Sequence, residues 1–177
     1  MSDASVPPEL GLEDDDVIEA FEVVPDEAEV EAAPGVTRVS GFDGVGTRRE
    51  GRERALALLF EAEQRELNPL SAILDGLPLA PDAFTRDLIV GVGSHQSELD
   101  DQIERLATGW TLERMPAIDR ALLRIGAFEL TWTDVPVGAC ISEAVELAKR
   151  YSTDDSHRFI NGMLGAVARE VRDDQPE

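Results

Sequence analysis

The chain has 177 residues, 42% of them apolar, which suits one ordinary domain with an appendage but not two large domains. With 37 acidic residues against 16 basic ones the formal net charge is -21, which disfavours indiscriminate binding to nucleic acid or anionic membranes. The one cysteine, Cys140, excludes an internal disulfide framework and fits a reducing cytosol.

The charge is unevenly spread. Residues 1–47 carry thirteen acidic side chains and a single basic one, Arg38, for a net of -12, while the rest of the chain nets -9. This first stretch also holds Pro7, Pro8, Pro25 and Pro34, the run Glu13-Asp14-Asp15-Asp16, and few large apolar residues. Such a segment does not bury enough apolar surface to offset the entropy of ordering it, so it reads as a disordered acidic tail. It lacks the basic and apolar regions of a signal peptide, and the longest uncharged apolar-rich stretch, residues 88–97, is about half a membrane span. A cytoplasmic protein is expected.

Helical periodicity begins at Arg48. Ala55, Leu56, Leu59 and Phe60 share a face and predict an amphipathic helix over residues 48–67. Asn68-Pro69 offers an N-cap and a first-position proline for a short helix to about Leu77, and Pro78 and Pro81 then break the chain. Phe84, Leu88, Val92, Leu99, Ile103 and Leu106 predict one long helix, with Gly91 and Gly93 inside it as the sites of close contact or a kink. Gly109 ends it, and Thr111 can cap a short turn to Met115. Pro116 opens a helix with Ile118, Ala121, Leu122 and Ile125 on one face. After the loop Asp134-Val135-Pro136, two more helices follow, one through Ile141, Ala144, Val145 and Ala148, the other through Phe159, Ile160, Met163, Leu164 and Val167. No segment alternates with period two. The expected fold is all-α, a compact bundle of six or seven helices over residues 48–172, with a flexible C-terminus at 173–177.

Nothing in the chain points to catalysis. Asp155-Ser156-His157 has the residue types of a triad, but neighbours on a helix start point apart. His95 and His157 lack further ligands at metal-site spacing, and Gly91-Val92-Gly93 lacks the third glycine of a dinucleotide loop. No metal and no cofactor is expected. Cys140 reads as a small core residue.

The basic residues say more. Arg48, Arg49, Arg52 and Arg54 crowd the start of the first helix, where cations oppose the macrodipole. That placement suits gripping phosphate, with the free amides of the first turn to help. The pattern alone fits equally a solubilising surface paired with Glu50 and Glu53.

Four collinear stretches stand out: Arg48-Arg49-x-x-Arg52-x-x-Ala55-x-x-x-Leu59-Phe60, then residues 118–130 from Ile118-Asp119-Arg120 to Phe128-Glu129-Leu130, then Ser142-Glu143-Ala144-Val145-Glu146-Leu147-Ala148-Lys149, then residues 154–164 around Ser156-His157-Arg158-Phe159. Together they resemble the NusB family of bacterial transcription antitermination factors. The resemblance covers about residues 48–172. It implies an RNA-binding protein that holds the boxA element of nascent ribosomal RNA together with NusE, a protein of the small ribosomal subunit. It also implies a role in assembling a termination-resistant complex on RNA polymerase with the other Nus factors, and neither DNA nor a membrane as partner.

On this resemblance the RNA-contacting residues are Arg48, Arg49, Arg52, Ser156 and Arg158, and the partner-facing ones Phe60, Asp119 and Asp155. Phe60 also continues the Leu56 stripe, so core packing stays open for it; Phe159 reads as core. Glu50 and Gly51 stand where many members extend the basic run, which predicts weaker RNA affinity. A NusB-like domain also opens some ribosomal RNA cytosine methyltransferases, but those need a further catalytic domain that this chain has no length for.

Overall fold

The structure, a computed structural model, describes residues 45–173. The tail expected over residues 1–47 and the flexible C-terminus expected over 173–177 fall outside the described residues, apart from those that open the first helix and close the last. Among the described residues the chain is all-α: α1 (Val45–Gln64), α2 (Ala83–Ser94), α3 (Gln96–Leu106), α4 (Ala117–Trp132), α5 (Val137–Tyr151) and α6 (Ser156–Asp173). Two short 3-10 segments, Leu70–Gly76 and Leu112–Arg114, join α1 to α2 and α3 to α4. No helix among the described residues is long and apolar enough to cross a membrane.

α4 is the axis of the bundle and packs against all five other helices. Its sequence explains why. Residues 121–127 are buried all the way round, as a helix at the centre of a core requires, whereas an outer helix buries only one stripe. The outer helices supply such stripes: Ala55, Leu56, Leu59 and Ala62 from α1, Leu99 and Ile103 from α3, Ile160, Leu164 and Val167 from α6. Each fully buried side chain of this size contributes roughly 1.5–3 kcal/mol.

The long helix expected from Phe84 to Leu106 is two helices. They part at His95, which leaves the helical region at φ -111° and ψ 17°, with its ring stacked on Trp132 at a centroid distance of 4.1 Å. The break is therefore one turn beyond the glycines. Gly91 serves close contact instead: a Cβ there would lie 2.0 Å from the Phe128 ring. Asp82 caps α2, accepting from the Thr85 amide at 3.0 Å. The predicted caps at Asn68 and Thr111 make no such bond. Pro69 takes the cap position of the first 3-10 segment, and Thr111 precedes the second without a side-chain hydrogen bond.

Candidate nucleic-acid and partner interface

α1 lies antiparallel to α4, as two sets of ion pairs show. Near its start Arg52 meets Glu129 of α4; near its end Glu63 meets Arg120 and Arg124. The two ends of this helix pair carry the two groups of expected functional residues.

At the first end the arginines have different fates. Arg48 is exposed, and its guanidinium stands 5.7 Å from the centroid of the Phe84 ring on α2. Arg49 keeps 56% of its side chain accessible, while its Nε and Nη2 donate to the Glu143 carboxylate of α5 at 2.9 and 2.6 Å. Arg52 departs from the expectation of an RNA contact. It is only 5% exposed, and its Nε and Nη2 fork onto Glu129 at 2.9 and 2.7 Å. Burial alone would lower its pKa, but the Glu129 bonds and charge outweigh that and hold it up. Arg52 lies where α1 packs against α4, an unpaired guanidinium would be costly there, and the Glu129 carboxylate meets it.

Glu129 is 1% exposed, and besides Arg52 it accepts from Cys140 Sγ at 3.9 Å. Burial, and secondarily the Glu129 charge, push the Cys140 thiol well up, so it stays protonated as a core residue.

Gly51 also proves to be a packing residue. It is buried, and a Cβ on it would sit 2.6 Å from Phe84 Cδ1. The basic run is interrupted there because α2 lies against that face. Thr85 Oγ1 strengthens the contact by donating to the Gly51 carbonyl at 3.2 Å.

At the other end Asp119, Ser152 and Ser156 form a buried polar cluster where α4 and α6 begin. Ser152 Oγ donates to Asp119 Oδ1 at 2.6 Å and Ser156 Oγ to Oδ2 at 2.8 Å. Asp119 and Ser156 are each 2% exposed, so the structure corrects the expectation that they face a partner or RNA directly. Burial pushes the Asp119 carboxyl above its usual range, and the two hydroxyl bonds only partly offset it. The cluster fixes the start of α6, whose neighbouring Asp155 and Arg158 are exposed. Phe159 packs on the core beside Trp110, as read from the sequence. Phe60 is half-buried, one turn before Glu63 on α1, and is not among the half-buried hydrophobic residues packed against the core cluster.

The structure thus separates Arg48 and Arg49 from Ser156 and Arg158. Glu129 and Asp119, which anchor the two groups, are ten residues apart on α4, or about 15 Å. Sequence reading missed Phe84, Glu129 and Glu143 as parts of the arginine end. Their pairings span 32 to 94 positions, and no local pattern signals them. No group of three metal-binding side chains is assembled among the described residues.

The NusB family profile matches residues 49–169, which begin one residue after Arg48 and run past Arg158. The chain belongs to the NusB family. It is 46% identical over 129 residues to the transcription antitermination protein NusB of Paenarthrobacter aurescens, covering 71% of this chain and 95% of that one. The NusB protein of Heliobacterium modesticaldum is 43% identical over 137 residues, and this chain spans 66% of its length. Among solved structures, Thermotoga maritima NusB superposes with a TM-score of 0.64 at 35% identity, over 70% of this chain and 91% of that one. A structure of antitermination factors NusB and NusE in complex with dsRNA shares the NusB fold at 23% identity, with a TM-score of 0.60 over 72% of this chain and 99% of that one.

Proposed function

We propose that this NusB-family chain is a transcription antitermination factor that holds boxA RNA of nascent ribosomal transcripts together with NusE. The RNA-bearing assembly then joins RNA polymerase and the other Nus factors in the cytoplasm. The observation that carries the RNA half is Arg48 and Arg49, exposed on the first turns of α1 in a chain whose net charge is -21. A local pair of cations at a helix start offers bidentate donors for phosphate while the remaining surface repels nucleic acid at long range. Arg158, at the far end, extends the RNA surface. Phe60 and Asp155, both accessible, form the NusE face. Arg52, Asp119 and Ser156 act from beneath by fixing the elements that carry these side chains. The reading needs no catalytic group and no cofactor.

Binding of a short boxA RNA, with and without NusE, tests the proposal. NusE is expected to tighten binding, and changing Arg48 and Arg49 together to Ala to abolish it. Two phosphate contacts to a single strand predict a log-log salt slope of about -1.4. If the wild type ignores RNA even with NusE present, the chain is a protein-only NusE-binding module. The occupation of Arg49 by Glu143 is the observation that favours that second reading.

A further inference from the structure

Arg48, Gly51, Arg52 and Phe84 form one unit where α1 meets α2. The Phe84 ring rests on Gly51, the one residue type without a Cβ to collide with it. Above the ring stand two guanidinium groups, those of Arg48 and Arg52, at 5.7 and 5.3 Å from its centroid. Arg52 is also tied to Glu129, so the ring and the buried ion pair share a fixed frame. Arg48 is exposed, and among the described residues no carboxylate forms an ion pair with it. We propose that Phe84 is a positioning residue that holds the Arg48 guanidinium ready for an RNA phosphate, an inference that rests on the RNA-binding reading of this end.

The chemistry separates Arg48 from Arg49. A carboxylate takes a guanidinium by its N–H edge, the edge a phosphate needs, and Glu143 holds Arg49 in that way. An aromatic ring takes a guanidinium by its face and leaves every N–H free in the plane. Arg48, over the ring at 5.7 Å and with no carboxylate paired to it among the described residues, keeps its N–H donors for a phosphate. A long side chain restrained before binding loses less freedom when the phosphate arrives. Phe84 itself is half-buried and packed against the core, so it acts through Arg48 and not by touching RNA.

The test uses the full chain and the boxA RNA with NusE. Phe84→Leu keeps an apolar side chain and removes the ring; it is expected to weaken binding about two- to fivefold. Phe84→Tyr keeps the ring and should restore wild-type affinity. In an Arg48→Ala background Phe84→Leu should have no further effect. Equal losses in both backgrounds would mean that Phe84 only supports the fold, and would overturn the proposal. The Arg48 Nε–H resonance of the RNA-free protein gives a second readout. It should move in Phe84→Leu and stay in Phe84→Tyr; an unmoved signal in both also overturns the proposal. If the wild type binds no RNA, the proposal falls together with the RNA-binding reading. If the wild type binds and the double-mutant cycle is additive, only the role of Phe84 falls.

Discussion

The two ends of α1 are both pinned to the bundle by ion pairs, but they are balanced differently. At the far end Glu63 receives Arg120 and Arg124, and Asp100 takes the second edge of Arg124 at 2.7 Å. Arg120 also donates to the carbonyls of Leu112 and Met115, so both cations there are fully engaged inside the protein. At the near end the pairs made by Arg49 and Arg52 run the other way, from α1 to carboxylates on α5 and α4, while Glu53 of α1 takes Arg150 of α5. Arg52 has Glu129 and Arg49 has Glu143, while among the described residues Arg48 pairs with no carboxylate and lies over the Phe84 ring. Arg48, exposed over an aromatic ring, leaves the near end with a cation that an anion can reach.

Breaking the buried pairs should bring out the structural side of this contrast most strongly. Glu129→Ala strands Arg52 in the core, and loss of one partner of a buried pair costs about 3–5 kcal/mol. Equilibrium denaturation should show that loss; a loss below about 1 kcal/mol would mean that Arg52 reaches solvent by another rotamer and is no anchor. Glu63→Gln should cost less, about 1–3 kcal/mol, because Asp100 still holds Arg124 and backbone carbonyls still hold Arg120.

The Glu63 effect carries a pH signature. Burial alone would raise its pKa, but the bonds and charges of Arg120 and Arg124 outweigh burial and hold it below the usual range. A depressed folded pKa means stabilisation present above the unfolded value of about 4.3, and lost as the pH falls through the folded value. The stability gap between wild type and Glu63→Gln should therefore be full near neutral pH and close below about pH 4. Asp119 works in the opposite sense, since its raised pKa makes its charge a burden above that pKa. A comparison at the Glu63 position leaves that contribution common to both proteins. A gap that does not change with pH would show that the network is held by packing and not by charge.

Much of this architecture was legible in the sequence, and the rest was not for definite reasons. The apolar spacing in α1, α4, α5 and α6 identifies those helices, because burial on one face imposes the 3.6-residue period whatever the neighbours are. The break at His95 was hidden because the stripe from Phe84 to Leu106 continues in phase across it; the departure is confined to the φ and ψ of one residue, whose ring stacks on Trp132. The candidate site divides in the same way. Residue type and helical position pick out the arginine cluster, but Arg48 and Arg52 share type, face and spacing and still end up exposed and buried. What separates them is the position of Glu129, 77 residues along the chain from Arg52. Likewise Asp119 and Ser156 look like surface polar residues at helix starts until the fold brings them within 2.8 Å of one another.

The smallest expected change in stability gives the sharpest view of the near end. Arg49 is more than half exposed, so Glu143→Gln should alter stability by no more than about 1 kcal/mol. Its consequence for RNA is larger, because Glu143 occupies Nε and Nη2 of Arg49, the edge that a phosphate would use. A neutral amide competes for that edge far less well than a carboxylate. If Glu143 acts as a competitor, the variant should bind boxA RNA more tightly at an unchanged log-log salt slope, because Arg49 is one of the two phosphate contacts in both proteins. If Glu143 instead aims Arg49, affinity should fall with the slope unchanged. The geometry favours competition: an arginine held by its edge has to let go before it can take a phosphate in the same way, whereas Arg48, which lies over an aromatic ring, does not.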